Sequence, residues 1–262
     1  MMNAIAEGSV LERERAYFDG EAAGLTERDL LIEPGQLRRY REARLRAGNI
    51  PKDTLFARLN PLAGKRVLDY GCGTGESTCH LANCGAEVTA FDLSPESIAV
   101  ARRRAEVNGL GGQIRFDVRR AGHTGYPAGG FDVIVGFAIL HHLHESLPAI
   151  YSEIRKLLTP SGTAYFIEPV ANSRLLRGLR ALAPVPQYST PDERQLQYAD
   201  LERIREHGFS SVTYDHFHCL TRFERIVGGW AAGSLRRIDH GLLRVAPFLK
   251  PWYGIVLMSA AA

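Results

Sequence analysis

What the chain lacks narrows it first. Nowhere in its 262 residues is there an uninterrupted apolar run of the roughly 18 to 20 residues that a membrane-spanning helix needs. Met1 to Arg15 also carry no apolar stretch of the kind that opens a signal peptide. A cytoplasmic protein without an integral membrane segment is therefore expected. Cysteine is sparse: Cys72, Cys79, Cys84 and Cys219 form neither a CxxC pair nor a zinc spacing, so free, reduced thiols are expected. A strong charge of one sign is missing too. The net charge is +3, and the basic residues, nearly all Arg, are scattered rather than gathered into a tract, which speaks against a nucleic-acid partner. Internal repeats and low-complexity tracts are absent as well. What remains, 45% hydrophobic and 23% charged residues, suits one principal globular domain with some decoration.

Residues 1–60 read as helices with polar faces: Glu12 to Arg15 are charged, Tyr17 and Phe18 follow, and a second run extends from Leu37 through Ala47 until Asn49 and Pro51 end it. From Arg66 the pattern changes to short apolar runs alternating with amphipathic helices, the signature of a parallel sheet covered on both faces. Strands are predicted at Arg66 to Tyr70, Glu87 to Phe91, Ile114 to Val118, Phe131 to Phe137, Thr163 to Ile167, Ser211 to His216 and Tyr253 to Ser259. The helix after the second strand has Ser94 as N-cap and Pro95 at its first position, and it ends near Asn108-Gly109. The helix after the fourth places Leu147, Ile150, Ile154 and Leu157 on one face. Thr159-Pro160-Ser161-Gly162 is expected to turn the chain, and a late helix is expected around Ala199 to His207. The organisation is thus a helical cap over 1–60 and a doubly wound α/β domain over 61–262 with a seven-stranded, mostly parallel sheet. Insertions fall at about 171–197 and 220–250, the second of them helical.

The most specific feature is Val67-Leu68-Asp69-Tyr70-Gly71-Cys72-Gly73-Thr74-Gly75, a buried strand with an acid near its end and three alternate glycines. Glycines there let the backbone turn sharply and approach a ligand closely. A dinucleotide site would want G-x-G-x-x-G, but position 76 is Glu, which would repel a pyrophosphate. The ligand is expected to be cationic or zwitterionic. Asp92, at the end of the second strand, is placed to accept both hydroxyls of a ribose. Loop and acid together describe a nucleoside pocket with no phosphate grip at the carboxyl ends of the strands.

Asp69 through Gly75, Asp92 with Ser94-Pro95, Phe131-Asp132-Val133-Ile134 and Leu158-Thr159-Pro160-Ser161-Gly162 resemble, in order and spacing, successive motifs of the class I S-adenosylmethionine-dependent methyltransferases. The resemblance covers roughly Leu62 to Val170. It implies a Rossmann-like fold and S-adenosylmethionine as cofactor, with S-adenosylhomocysteine as product. It further implies that Asp69 and Gly71 lie by the methionine moiety, that Cys72 and Gly73 also meet the cofactor, that Asp92 holds the ribose, that Leu93 packs on adenine and that Phe137 lines the cofactor. Many relatives carry an acid at the position of Arg120, where it receives the adenine amino group, and a guanidinium cannot accept that bond. Either backbone atoms of Arg120 and Ala121 replace it, or Asp117 is shifted into place. A His at the position of His142 is common among relatives and braces the loop beside the cofactor.

Methyl transfer is an in-line displacement, so alignment and exclusion of water matter most, and a hydroxyl acceptor also needs a base. His141, in Ile139-Leu140-His141-His142-Leu143 after the fourth strand, is the first candidate, because an imidazole titrates near neutrality. Glu168, Tyr17 and Tyr40 are candidates for orienting the acceptor. No metal is expected, since Gly136 and Phe137 offer no oxygen ligands. Gly136-Phe137-Ala138 also differs from the Asn/Asp-Pro-Pro and Pro-Cys motifs of nucleic-acid methyltransferases. The expected substrate is a small molecule, amphiphilic or anionic. The 220–250 insertion reads as a lid, a homodimer contact or a membrane-surface element. Four alternatives remain: N- or C-methylation, non-methylating use of the cofactor, a nicotinamide-dependent oxidoreductase, which Glu76 opposes, and a silent binding module.

Overall fold

A strand buried on both faces needs apolar side chains at successive positions, and Val67, Leu68 and Tyr70 are fully buried in β1 (Arg66–Tyr70). The computed structural model describes residues 2–41, 50–173, 196–220 and 245–262, with 235, 238, 239 and 241–243; over 2–11 it describes the backbone alone. The other strands are β2 (Glu87–Asp92), β3 (Ile114–Val118), β4 (Phe131–Phe137), β5 (Leu158–Pro169), β6 (Ser211–Phe217) and β7 (Ile255–Ala261). They form one sheet in the order β3-β2-β1-β4-β5-β7-β6. Each pair from β3 to β5 is parallel, and β7 runs antiparallel between β5 and β6, which gives the seven-stranded, mostly parallel sheet expected.

The helices are α1 (Met2–Ala23), α2 (Glu27–Leu30), α3 (Pro34–Arg41), α4 (Pro51–Leu59), α5 (Glu76–Asn83), α6 (Pro95–Val107), α7 (Leu147–Leu157) and α8 (Tyr198–Glu202), the last continuing as a 3-10 turn to His207. Alternation along the strands divides the core in two. Leu68, Tyr70, Ile134 and Phe166 meet the buried stripe Leu147, Ile150, Tyr151 and Ile154 of α7. Val67, Val88, Val133 and Val135 meet Leu55 and Phe56 of α4, Leu81 of α5 and Ile98 of α6. Each such side chain contributes about 1.5–3 kcal/mol of burial. Ser94 Oγ accepts the Ser97 N–H at 2.9 Å and caps α6, with Pro95 next, as its sequence requires.

Several boundaries differ from expectation. Thr159-Pro160-Ser161-Gly162 lies within β5: pairing starts at Phe131↔Leu158 and resumes at Val133↔Thr163, so the extra residues form an irregularity inside the strand. β7 lies two residues later than predicted, because Pro247–Trp252 forms a 3-10 helix and the Tyr253 hydroxyl donates to the Asp239 backbone oxygen at 3.0 Å. Pro51 opens α4, where a missing N–H costs nothing. Of the run predicted from Leu37 to Ala47, positions 42–47 lie outside the described residues, as do 174–195 and 221–234 of the two insertions. No described helix is long and apolar enough to cross a membrane.

Candidate active site

The chain runs outward from β1 to β2 to β3 and then returns to β4 on the other side of β1, leaving a crevice where the order reverses. Gly71, Gly73 and Gly75 form the turn out of β1 with φ of +75°, +51° and +80°. A Cβ on Gly71 would lie 2.7 Å from Ile139, and one on Gly75 would lie 2.8 Å from the Ala101 Cβ. Asp92 pins this loop, accepting the Gly73 N–H at 2.8 Å and the Ser94 N–H at 3.0 Å. Burial of Asp92 raises its pKa.

Over the loop opens a cavity of about 220 Å³. All ten residues expected to meet a cofactor line it: Asp69 and the loop residues Gly71, Cys72 and Gly73; Asp92 and Leu93 at the end of β2; Arg120 and Ala121 after β3; Phe137 at the end of β4; and His142. Asp69 is fully buried. Its Oδ2 accepts the Thr78 hydroxyl at 2.6 Å, while Oδ1 has no hydrogen-bond partner among the described residues. Burial, opposed by the Thr78 bond and the charge of Lys52, lifts its pKa to about 7.

The wall after β3 is built from a distance. Glu153 of α7 accepts the N–H groups of Gly122 at 2.8 Å and Thr124 at 2.6 Å and the Tyr70 hydroxyl at 2.8 Å, which fixes the backbone around Arg120 and Ala121. Asp117 is engaged elsewhere, accepting the Tyr126 hydroxyl at 2.8 Å and pairing with Arg115 at 3.0 Å, and it does not line the cavity. Of the two readings for adenine, the shifted Asp117 is thereby removed.

His141, the candidate base, does not line the cavity. Its Nδ1 lies 2.9 Å from Glu168 Oε2, and Glu168 Oε1 accepts the Ile139 and Leu140 N–H groups, each at 2.9 Å. Glu168 is fully buried at the end of β5. Ala138 takes a left-handed φ of +53°, rare for a residue with a side chain, to bring this turn onto the carboxylate. A carboxylate oxygen only accepts, so it is the His141 Nδ1 that donates in this pair. His142 instead faces the cavity, and the two rings stand 4.1 Å apart.

Within the cap expected over 1–60, it is α1 that roofs the cavity, through residues the sequence reading did not single out as site residues. Glu14 and Phe18 line it; Glu14 approaches His142 Nδ1 at 3.7 Å, and Phe18 meets the same ring edge-on at 5.3 Å. Asp19 takes the Ser94 hydroxyl. The available signal was the spacing of Glu14, Phe18 and Ala22 along one face of a charged helix. Of the candidates for orienting an acceptor, the Tyr17 hydroxyl bonds Glu21 at 3.1 Å, and Tyr40 is packed between Phe56 and His80. Neither lines the cavity. Among the described residues no group of three or more His, Cys, Asp or Glu comes together as a metal site.

A family model described as a methyltransferase domain matches residues 67–162. The ubiquinone biosynthesis O-methyltransferase of Actinobacillus pleuropneumoniae serotype 5b (strain L20) is 38% identical over 117 residues, 44% of this chain and 50% of that protein. The protein of the same name from Nitrosococcus oceani is 34% identical over 177 residues, 63% of this chain and 72% of that protein. The chain thus spans about half the length of the first of these relatives. Among solved structures, the cyclase SpnF is 25% identical, with a TM-score of 0.55, covering 76% of this chain and 75% of that one. The sheet order, the glycine turn with its two acids and these similarities lead to one assignment: the chain belongs to the class I S-adenosylmethionine-dependent methyltransferases, whose cofactor is S-adenosylmethionine.

Proposed function

We propose that this chain methylates a hydroxyl oxygen of a small molecule, with His141 as the base. The observation that carries this reading is the buried His141–Glu168 pair beside the cavity, in which the carboxylate orients an imidazole, a side chain suited to proton removal. The names of the two relatives support oxygen as the acceptor atom. The cavity suits the cofactor on its own chemistry: the buried, unpartnered Asp69 Oδ1 asks for a donor, and an ammonium supplies one. Asp69 would hold that ammonium and Asp92 the ribose hydroxyls. Leu93 and Phe137 would pack on the nucleoside, and the backbone at Arg120 and Ala121 would meet adenine. His142 would brace the turn. When bound, S-adenosylmethionine supplies an electrophilic methyl group on a sulfonium. α1 would exclude water from the strand ends, closing over the cavity through Glu14 and Phe18. The acceptor would be an amphiphilic or anionic small molecule.

Calorimetric titration with S-adenosylmethionine, S-adenosylhomocysteine, NAD and NADP comes first, then transfer of labelled methyl to a panel of phenols. Binding of the first pair alone and label in a methyl ether is the expected result. Binding without label transfer to any hydroxyl, while an acceptor is converted and the cofactor persists, would favour the second reading, non-methylating use of the cofactor, which the likeness to a cyclase motivates.

A further inference from the structure

An amino group on a purine only donates, so a pocket that reads it must bring an acceptor to it. The loop after β3 brings the opposite. It lines the cavity with Arg119, Arg120 and Ala121. The Arg119 guanidinium donates to the Thr124 backbone oxygen and lies 4.5 Å from the centroid of the Tyr126 ring. Arg120 is exposed, and its guanidinium has no hydrogen-bond or ionic partner among the described residues. The backbone repeats the pattern: the Arg120 carbonyl already accepts the His123 N–H at 3.2 Å, and the Arg120 and Ala121 N–H groups enter no turn. The described acids of the lining are committed to other elements. Asp69 accepts from Thr78, Asp92 accepts from the Gly73 and Ser94 N–H groups, and Glu14 sits on α1 at 3.7 Å from His142. The Ser146 hydroxyl, also in the lining, donates as readily as it accepts.

We infer that the pocket holds the purine of its cofactor without reading the 6-amino group, so that it also takes S-nucleosyl thioethers with other groups at that position. The inference rests on the reading that places adenine at Arg120 and Ala121. The Ala121 N–H suits a ring nitrogen, Leu93 packs on the ring, and the guanidinium of Arg120 can only add donors. The test is calorimetry on the full chain with S-adenosylhomocysteine and its 6-deamino analogue, in which purine replaces adenine and both amino N–H donors are gone. The parent should bind the two within about threefold, whereas a pocket that hydrogen-bonds an N–H rejects the ligand lacking it by about tenfold or more. Arg120→Asp puts an acceptor on this exposed position and should create a preference for S-adenosylhomocysteine of about tenfold. Arg120→Ala removes the guanidinium without supplying an acceptor and should leave the ratio of the two affinities as in the parent. A parent that favours S-adenosylhomocysteine by more than the expected margin overturns the inference, because the pocket then holds an acceptor for the amino group. Near-equal binding that persists in Arg120→Asp also overturns it, since the base then lies away from this loop. A parent that binds neither thioether overturns the cofactor reading itself; one that binds S-adenosylhomocysteine keeps that reading and leaves only the base at stake.

Discussion

Replacing Asp69 by Asn should stabilise the ligand-free protein above neutral pH and lower its affinity for ligands with an ammonium group. The carboxyl is fully buried with one oxygen unpartnered, and its pKa is raised from 3.8 to about 7. Because the folded pKa lies above the unfolded one, the folded state holds a proton that the unfolded chain releases between those values. The stability this proton supplies is complete below about pH 4 and is lost as pH rises through 7. At about 1.36 kcal/mol per unit the whole loss is on the order of 4 kcal/mol, and the part between pH 5 and pH 8 is about 3 kcal/mol.

Asn does not titrate and fits the same contacts, its amide oxygen accepting from Thr78 in place of Oδ2. Urea denaturation of parent and Asp69→Asn without ligand, at pH 5 and pH 8, isolates the slope from any constant difference between the side chains. The advantage of the variant should grow by about 3 kcal/mol between the two, equivalent to roughly 6–12 °C in Tm for a chain of this size. S-adenosylhomocysteine affinity should meanwhile fall at least tenfold at pH 8. An advantage equal at both pH values, or a parent that gains on the variant as pH rises, would refute the argument that Asp69 is held uncompensated until a ligand arrives.

The other expectations follow from the same geometry. His141→Ala should lower kcat by about 10²–10⁴ while calorimetric affinity for S-adenosylhomocysteine stays put; Glu168→Gln should do likewise, because an amide facing Nδ1 reverses the tautomer. Equal turnover in parent and variant would remove the dyad from the reaction. Gly75→Ala should destabilise by more than Gly73→Ala in urea melts, since both require positive φ, about 1–2 kcal/mol, but only the Cβ at 75 meets Ala101 at 2.8 Å. Phe18→Ala should weaken S-adenosylhomocysteine by about 1 kcal/mol or more without changing the urea midpoint greatly, as the ring is part of the roof and not of the core.

Much of the α/β domain was legible because its signals are local. The strands β1 to β4 and the helices α5 to α7 are each bounded by a cap, a glycine or a change of period, as at Ser94-Pro95 and at Gly85, and the observed elements begin and end close to where those signals fall. The cofactor-facing residues were legible for a related reason. They sit on strand ends and on one turn whose glycines the backbone geometry requires, so position along the chain is nearly position in space. A cap over 1–60 was legible, but not which of its residues form the roof, because nothing in 14–22 says what Glu14 and Phe18 will meet. Their partner His142, like the Ser94 that bonds Asp19, lies far along the chain.

The two adjacent histidines show the limit most sharply. On a regular element, neighbouring side chains diverge by a known angle, and a burial pattern decides which faces inward. Residues 138–143 follow neither period, since Ala138 breaks the strand at φ +53° and the turn closes on hydrogen bonds from Ile139 and Leu140. Which ring enters the cavity is chosen by Glu168, 27 residues away on β5, whose second oxygen takes Nδ1 of His141 and draws that ring out of the lining. His142 is left facing the cavity. The sequence named His141 as base, His142 as brace and Glu168 as an orienting group, but the bond from Glu168 that separates the two rings follows only from the parallel pairing of β4 with β5 that sets Phe137 beside Ile167.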